Sequence, residues 1–215
     1  MATHAPARLK RAAGLRGIYA ILGEEPRVVD RARAILDGGV RIVQYRAKRG
    51  IVADTLRRLR EITGERGALL IVNDDWRAAR DFDCDGVHLG PGDDGFAGVA
   101  RLRSALPELL IGLSCGTLAE VRSANADDAD YIGAGSVYAT QSKSDAGDPI
   151  GIHGLRRLAR AAAPPVAAIG GIDLSRLAEV RATGVAMAAL ISALANSGEP
   201  ERTARELVAR WDGGA

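Results

Sequence analysis

Aromatic side chains are scarce, 4% of 215 residues, and charge of one sign is massed nowhere: 29 Lys and Arg stand against 27 Asp and Glu, a net charge of +2. Basic residues scattered over the chain lack the dense cationic face of a nucleic-acid binder, so no nucleic-acid partner is expected. Long hydrophobic runs are missing as well. Nothing approaches the roughly 18 consecutive apolar residues of a membrane span, and no membrane partner is expected. The first 16 residues, MATHAPARLKRAAGLR, carry four basic groups and no acid, and lack the apolar stretch of a secretory signal. Residues 1–16 therefore read as a flexible tail, and a cytoplasmic location is expected. The two cysteines, Cys84 and Cys115, have no metal-like spacing and read as free thiols. The turn after the first apolar segment is GEEP, without the glycines that a dinucleotide-binding open sheet places there.

What the chain does have is 47% hydrophobic residues arranged in a regular alternation. From residue 17 onward, short Val-, Ile- and Leu-rich segments alternate with charged segments of helical period. Eight strands are expected, at Gly17–Leu22, Val40–Arg46, Ala68–Asn73, Gly86–Leu89, Leu110–Ser114, Tyr131–Gly135, Val166–Ile169 and Val185–Ile191. Helices are expected between and after them, at Pro26–Asp37, Ala53–Thr63, Asp75–Asp81, Gly95–Ala105, Thr117–Asn125, Ile152–Ala162, Leu174–Ala182 and Pro200–Trp211. Near-continuous apolar strands alternating with helices call for a parallel sheet covered on both faces. Eight such units predict an α/β fold, a single (β/α)8 TIM barrel over residues 17–215 with an eight-stranded parallel sheet.

Functional groups in such barrels sit at the C-terminal ends of the strands, and these ends are polar here. The second strand, VRIVQYRAK, sends Gln44, Arg46 and Lys48 to one side and Val43, Tyr45 and Ala47 to the other. Two cations on an interior face would have to be answered by an anion, and a guanidinium fork beside an ammonium suits phosphate oxygens. Pairing with acids of neighbouring strands is the alternative. Asn73 and Asp74 leave the third strand and Asp93 follows the fourth, so two carboxylates could approach one Mg2+ together with substrate phosphate. Asp75 is better placed to cap the next helix. Ser114 ends the fifth strand. The segment GAGSVYATQSK, residues 133–143, turns from strand into a loop carrying Ser136, Thr140, Ser142 and Lys143. Gly170 and Gly171 let backbone approach a ligand, and Ser192 follows Ile191 where the eighth strand hands over to a turn. Together these suggest two anion sites, one with cations and metal, the other made mainly of backbone N–H groups. His88 reads as a packed, hydrogen-bonded side chain rather than a general base.

Seven motifs occurring in order, QYRAK at 44–48, IVND at 71–74, DGVHLGPGD at 85–93, IGLSC at 111–115, DYIGAGSVYATQSK at 130–143, AIGGI at 168–172 and ISAL at 191–194, resemble the thiamine phosphate synthase family over residues 19–194. The resemblance implies a (β/α)8 transferase that joins hydroxymethylpyrimidine pyrophosphate to hydroxyethylthiazole phosphate, releasing pyrophosphate by a dissociative route. It implies that Gln44, Arg46, Lys48, Asn73 and Lys143 bind the pyrimidine pyrophosphate and that Asp74 and Asp93 hold Mg2+. Ser114 would touch substrate near the reacting carbon, and Thr140, Ser142, Gly171, Ile191 and Ser192 would grip the thiazole phosphate. Arg46, Ser114 and Lys143 are the implied catalytic set. Pro91, Ser136, Ser142 and Met187 depart from the family's usual residues, and Met187 would add bulk near the eighth strand. A related thiazole tautomerase, which needs a histidine where Ser136 stands, and a non-catalytic binder of thiamine precursors are the alternatives. A homo-oligomer is compatible with all of this.

Overall fold

The structure, a computed structural model, describes residues 5–90, 95–140 and 148–214. In chain order it contains α1 (Ala5–Ala12), β1 (Gly17–Leu22), α2 (Val28–Asp37), β2 (Ile42–Tyr45), α3 (Ala53–Glu65), β3 (Leu69–Asn73), α4 (Trp76–Asp81), β4 (Gly86–Leu89) and α5 (Gly95–Ala105). There follow β5 (Leu110–Cys115), α6 (Leu118–Ala126), β6 (Tyr131–Ala134), α7 (Gly151–Ala161), β7 (Val166–Ile169), α8 (Leu177–Arg181), β8 (Met187–Leu190), α9 (Ser192–Ala195) and α10 (Pro200–Asp212). The strands pair in parallel in chain order, and β8 closes on β1. This is the (β/α)8 barrel the alternation predicts, with every expected strand present.

The two-residue period of each strand sorts its side chains into two cores. Ile18, Ala20 and Leu22 of β1, with Val43 and Tyr45 of β2, join the layer between barrel and helices. Tyr19 and Ile21, with Ile42, Ile71, Leu110, Tyr131 and Met187, fill the barrel interior. Interior glycines make room for the large members of that set. A Cβ on Gly112 would meet the ring of Tyr131, and one on Gly133 would lie 3.1 Å from Cε1 of His88. Outside, α2 and α10 pack closely where a Cβ on Gly38 would meet the backbone of Glu201.

Residues 5–16 correct the expectation of a flexible tail. Ala5–Ala12 is helical, and Leu15, 3% exposed, joins the interior core beside Tyr19 and Met187. The basic residues of this segment find carboxylates in the loops that lead into β4, β5 and β6. Arg11 Nε lies 3.2 Å from Asp85 Oδ1 and its Nη1 donates to the Glu108 carbonyl at 3.0 Å. Arg8 lies 3.3 Å from Asp130 and 3.2 Å from Asp128. The lower end of the barrel is thus closed by a helix whose partners stand 74 to 122 residues away in the chain, beyond the reach of any local pattern. The short α9 is the other helix not expected, and residues 174–176, expected as helix, form a turn in which Asp173 accepts from the backbone N–H groups of Ser175 and Arg176. Among the described residues no helix is long and apolar enough to cross a membrane.

Candidate active site

The upper end of the barrel opens into a cavity of about 630 Å³. It forms at the C-terminal ends of the strands, where the inward-facing positions of β2, β3 and β5, followed upward, pass from apolar to polar while those of β1, β7 and β8 stay apolar. In β2 the order is Ile42, Gln44, then Arg46 beyond the strand; in β3 it is Leu69, Ile71, Asn73. Gln44, Arg46, Asn73, Asp74, Ser114, Thr140, Gly171, Ile191 and Ser192 all line the cavity. The structure therefore brings together residues from β2, β3 and β5, from the loops after β2, β3, β6, β7 and β8, and from the start of α9.

Some expectations change. Strand β2 stops at Tyr45, so the alternation does not carry to Lys48, which is exposed in the following turn and does not line the cavity. Arg46 is half-buried and Gln44 alone of the three is buried, so the interior face holds no pair of buried cations. Asp75 caps α4, its side chain accepting from Ala78 N–H at 2.9 Å. Met187 is fully buried in the interior core below the cavity, packed in register with Gly17 and Ala167, so its bulk does not enter the site. Ser136 lines the cavity. Pro91, Asp93, Ser142 and Lys143 lie outside the described residues.

Asp74 adopts a left-handed backbone, φ 64°, which turns its side chain to the mouth, where the Asn73 amide donates to its Oδ2. Its N–H donates to the His88 carbonyl at 2.9 Å, tying the ends of β3 and β4 together. Sequence reasoning missed two further acids that line the cavity, Glu120 and Asp148. Glu120 is committed to a capping box at the start of α6, accepting from Gly116 and Thr117 N–H at 2.8 Å each; the T-L-A-E sequence at 117–120 is a legible signal for that role. Among the described residues no group of three or more His, Cys, Asp and Glu gathers as a metal site. A carboxylate such as Asp74 supplies hard oxygen, the donor Mg2+ takes when substrate phosphate and water complete its shell.

The loops after β6 and β7 hold each other. Val137 N–H donates to the Ile169 carbonyl at 2.8 Å and Tyr138 N–H to the Gly170 carbonyl at 3.0 Å. Gly170 and Gly171 have φ of 103° and 62°, and a Cβ on Gly171 would lie 2.8 Å from Cβ of Tyr138. Close approach and the left-handed backbone both demand glycine there. Arg176 donates to the Gly171 carbonyl and stacks over the Tyr138 ring at 4.3 Å, while the Tyr138 hydroxyl donates to Glu179 at 2.9 Å. Asp173 is held below the ordinary carboxylate range, chiefly by the hydrogen bond from the Ser175 hydroxyl. The Cys115 thiol, which also lines the cavity, is pushed up to about 12 by burial and is no thiolate nucleophile at neutral pH.

A family model described as thiamine monophosphate synthase matches residues 18–194. The thiamine-phosphate synthase of Caldivirga maquilingensis is 36% identical over 203 residues, 92% of this chain and 97% of that protein. The thiamine-phosphate synthase of Archaeoglobus fulgidus is 43% identical over 180 residues, 82% of this chain and 83% of that protein. Among solved structures, the thiamine phosphate pyrophosphorylase from Pyrococcus furiosus is similar at a TM-score of 0.84 and 33% identity, covering 93% of this chain and 96% of that one. On the family model and on relatives that match nearly end to end, the chain belongs to the thiamine monophosphate synthase family, transferases of thiamine biosynthesis.

Proposed function

We propose that the cavity at the barrel mouth is where hydroxymethylpyrimidine pyrophosphate and hydroxyethylthiazole phosphate are joined to thiamine phosphate, with release of pyrophosphate. The observation that carries this reading is the convergence of Gln44, Arg46, Asn73, Asp74 and Ser114 on one side of a single cavity and Thr140, Gly171, Ile191 and Ser192 on the other. The first group suits a pyrophosphate and its pyrimidine. The second suits the phosphate of the thiazole, held by backbone N–H groups at Gly171 and Ser192 and by the Thr140 hydroxyl. Lys143 and Ser142 would join these two groups respectively from the loop after β6. Lys48 is left out of direct contact and contributes attraction from the rim.

The reaction separates charge before it joins carbon to nitrogen. Departure of pyrophosphate leaves a pyrimidine-methyl cation, which the thiazole nitrogen captures. Mg2+, held by Asp74 and Asp93, would supply charge neutralisation on the leaving group. Arg46 binds pyrophosphate oxygens through its planar fork, Asn73 orients Asp74, and Ser114 stands beside the reacting carbon. The strapped loops after β6 and β7 hold the thiazole phosphate so that its ring nitrogen meets the cation at bonding range, which turns a bimolecular encounter into positioning. No protein nucleophile is needed, in keeping with the neutral Cys115 thiol. A single catalytic domain, the barrel of residues 17–215 with the helix of residues 5–12 packed on its lower end, and a cytoplasmic location complete the reading, and a homo-oligomer is compatible with it.

The deciding experiment is product formation. Purified protein with both phosphorylated precursors and Mg2+ should yield thiamine phosphate and pyrophosphate; absence of product from demonstrably folded protein would sink the reading. Asp93→Ala or Lys143→Ala should lower turnover by at least about tenfold, roughly 1.4 kcal/mol of barrier.

A further inference from the structure

A chain of hydrogen bonds crosses the barrel interior and ends at Ser114. Gln44 Nε2 donates to the Tyr19 hydroxyl at 2.6 Å, and that hydroxyl lies 2.9 Å from the hydroxyl of Tyr131. The Tyr131 hydroxyl lies 3.1 Å from His88 Nδ1, and His88 Nε2 lies 3.0 Å from Ser114 Oγ. Gln44, Tyr19 and Tyr131 are each at most 2% exposed, so the two phenol hydrogens must find their acceptors inside the protein. The glycines at 112 and 133 exist opposite Tyr131 and His88 and leave the space the chain occupies.

The direction of the chain follows from one end. An amide nitrogen only donates, so Tyr19 accepts from Gln44 and its own hydrogen goes to Tyr131. Tyr131 then gives its hydrogen to His88 Nδ1, which must be the bare nitrogen of a neutral ring. The ring's single hydrogen therefore sits on Nε2 and is donated to Ser114 Oγ. With its oxygen accepting from His88, the Ser114 hydroxyl has its own hydrogen to offer to the cavity. The opposite direction would make Tyr19 accept from both neighbours while its own hydrogen was buried without an acceptor, which is costly; only a reversed Gln44 amide would relieve that. Burial holds both phenols well above their ordinary range, so neither gives up its hydrogen at physiological pH.

We propose that Gln44, Tyr19, Tyr131 and His88 form a polarised relay of positioning residues that fixes Ser114 as a hydrogen-bond donor to an acceptor atom of the substrate, a ring nitrogen or an ester oxygen beside the reacting carbon. The direction of the relay stands on geometry alone; its consequence for turnover rests on the synthase reading above. This gives Tyr131, which does not line the cavity, a part in the reaction, by setting which way one hydroxyl points. It also gives Gln44 two tasks, since one amide hydrogen is committed inward while its carbonyl oxygen and second hydrogen remain for the cavity.

Two measurements test it. In protein labelled with 15N-histidine, with the His88 signal assigned by its loss in His88→Gln, His88 should be the neutral Nε2–H tautomer, and should become a mixture in Tyr131→Phe. An Nδ1–H tautomer would overturn the relay's direction. In product assays, Tyr131→Phe should lower kcat about tenfold with KM within about twofold, and should have no further effect on kcat in a Ser114→Ala background. Equal loss in both backgrounds, or no loss in either, would overturn the positioning role. If Tyr131→Phe does not fold, Tyr19→Phe serves the same cycle. Wild-type protein without synthase activity would break the reading of the site while leaving the tautomer measurement to decide the relay.

Discussion

Asp130 and Asp74 both stand at strand ends, one at the bottom of the barrel and one at its mouth, and they are treated oppositely. The Asp130 side chain is 5% exposed, takes Arg103 Nη2 at 2.7 Å and Arg8 Nε at 3.3 Å, and accepts from Ile111 N–H at 2.8 Å. Asp85, at the same end of the barrel, is likewise nearly buried, between Arg11 and Arg60, and accepts from Leu70 N–H at 2.9 Å. Asp74 is exposed, carried on a left-handed backbone that turns it to a cavity of about 630 Å³. A buried charge with all its partners inside the protein contributes to the fold, because removing one partner strands the others. A polar group turned toward open space contributes instead to whatever fills that space. The two ends of one barrel thus divide stability from chemistry.

That division can be broken most severely from below. Asp130→Ala leaves the Ile111 N–H without its acceptor and takes the buried carboxylate from Arg103 and Arg8, which keep only Asp128 as an acid partner among the described residues, and should cost about 3 kcal/mol of stability. Chemical denaturation reads that loss, while kcat of the remaining folded enzyme should be unchanged; a fall in kcat would mean the lower end is not confined to the fold. Arg46→Ala is the converse. It should reduce kcat/KM roughly a hundredfold, about 2.7 kcal/mol, with a denaturation midpoint that does not move. A variant equally active, or one plainly destabilised, would erase the contrast.

Smaller effects sharpen it. Arg11→Ala removes a partly exposed pair while Arg60 still faces Asp85, so about 1 kcal/mol is expected in denaturation, again without a change in kcat. The interior between the two ends predicts a pH effect. Burial raises Tyr19 and Tyr131 above the ordinary phenol range, and the neutral form is the one the fold prefers. Their contribution is therefore complete below the unfolded-state value near ~10 and declines as pH rises toward the folded values. Melting temperature should fall above about pH 10, with phenolate absorbance appearing only on unfolding. Burial also holds Tyr138 up at about 12, so native protein at pH 10 should show little phenolate.

Much of this was legible in the chain. The alternation from residue 17 onward gave eight strands whose ends move by only a few residues, because burial of both sheet faces writes itself as short apolar runs. Gln44, Asn73 and Ser114 were legible because the two-residue period carries an inward-facing position straight to the mouth. The same rule failed at Lys48, since β2 ends at Tyr45 and a turn has no such period. It failed again at residues 5–12, whose apolar and basic side chains look like a tail until Asp85, Glu108 and Asp130 are brought beneath them. Glu120 was readable as a helix cap but not as a neighbour of the cavity.

What the sequence by itself determined is which residues are strands, which faces they turn inward, and which polar types cluster at their C-terminal ends, because these depend on periods of two and 3.6 residues within a single element. Only the tertiary structure decided that Tyr19 would meet Tyr131 across 112 residues, that His88 would stand between Tyr131 and Ser114, and that a basic helix would seal the lower end. Those contacts join elements in space through barrel closure, and no local period encodes where two distant side chains will touch.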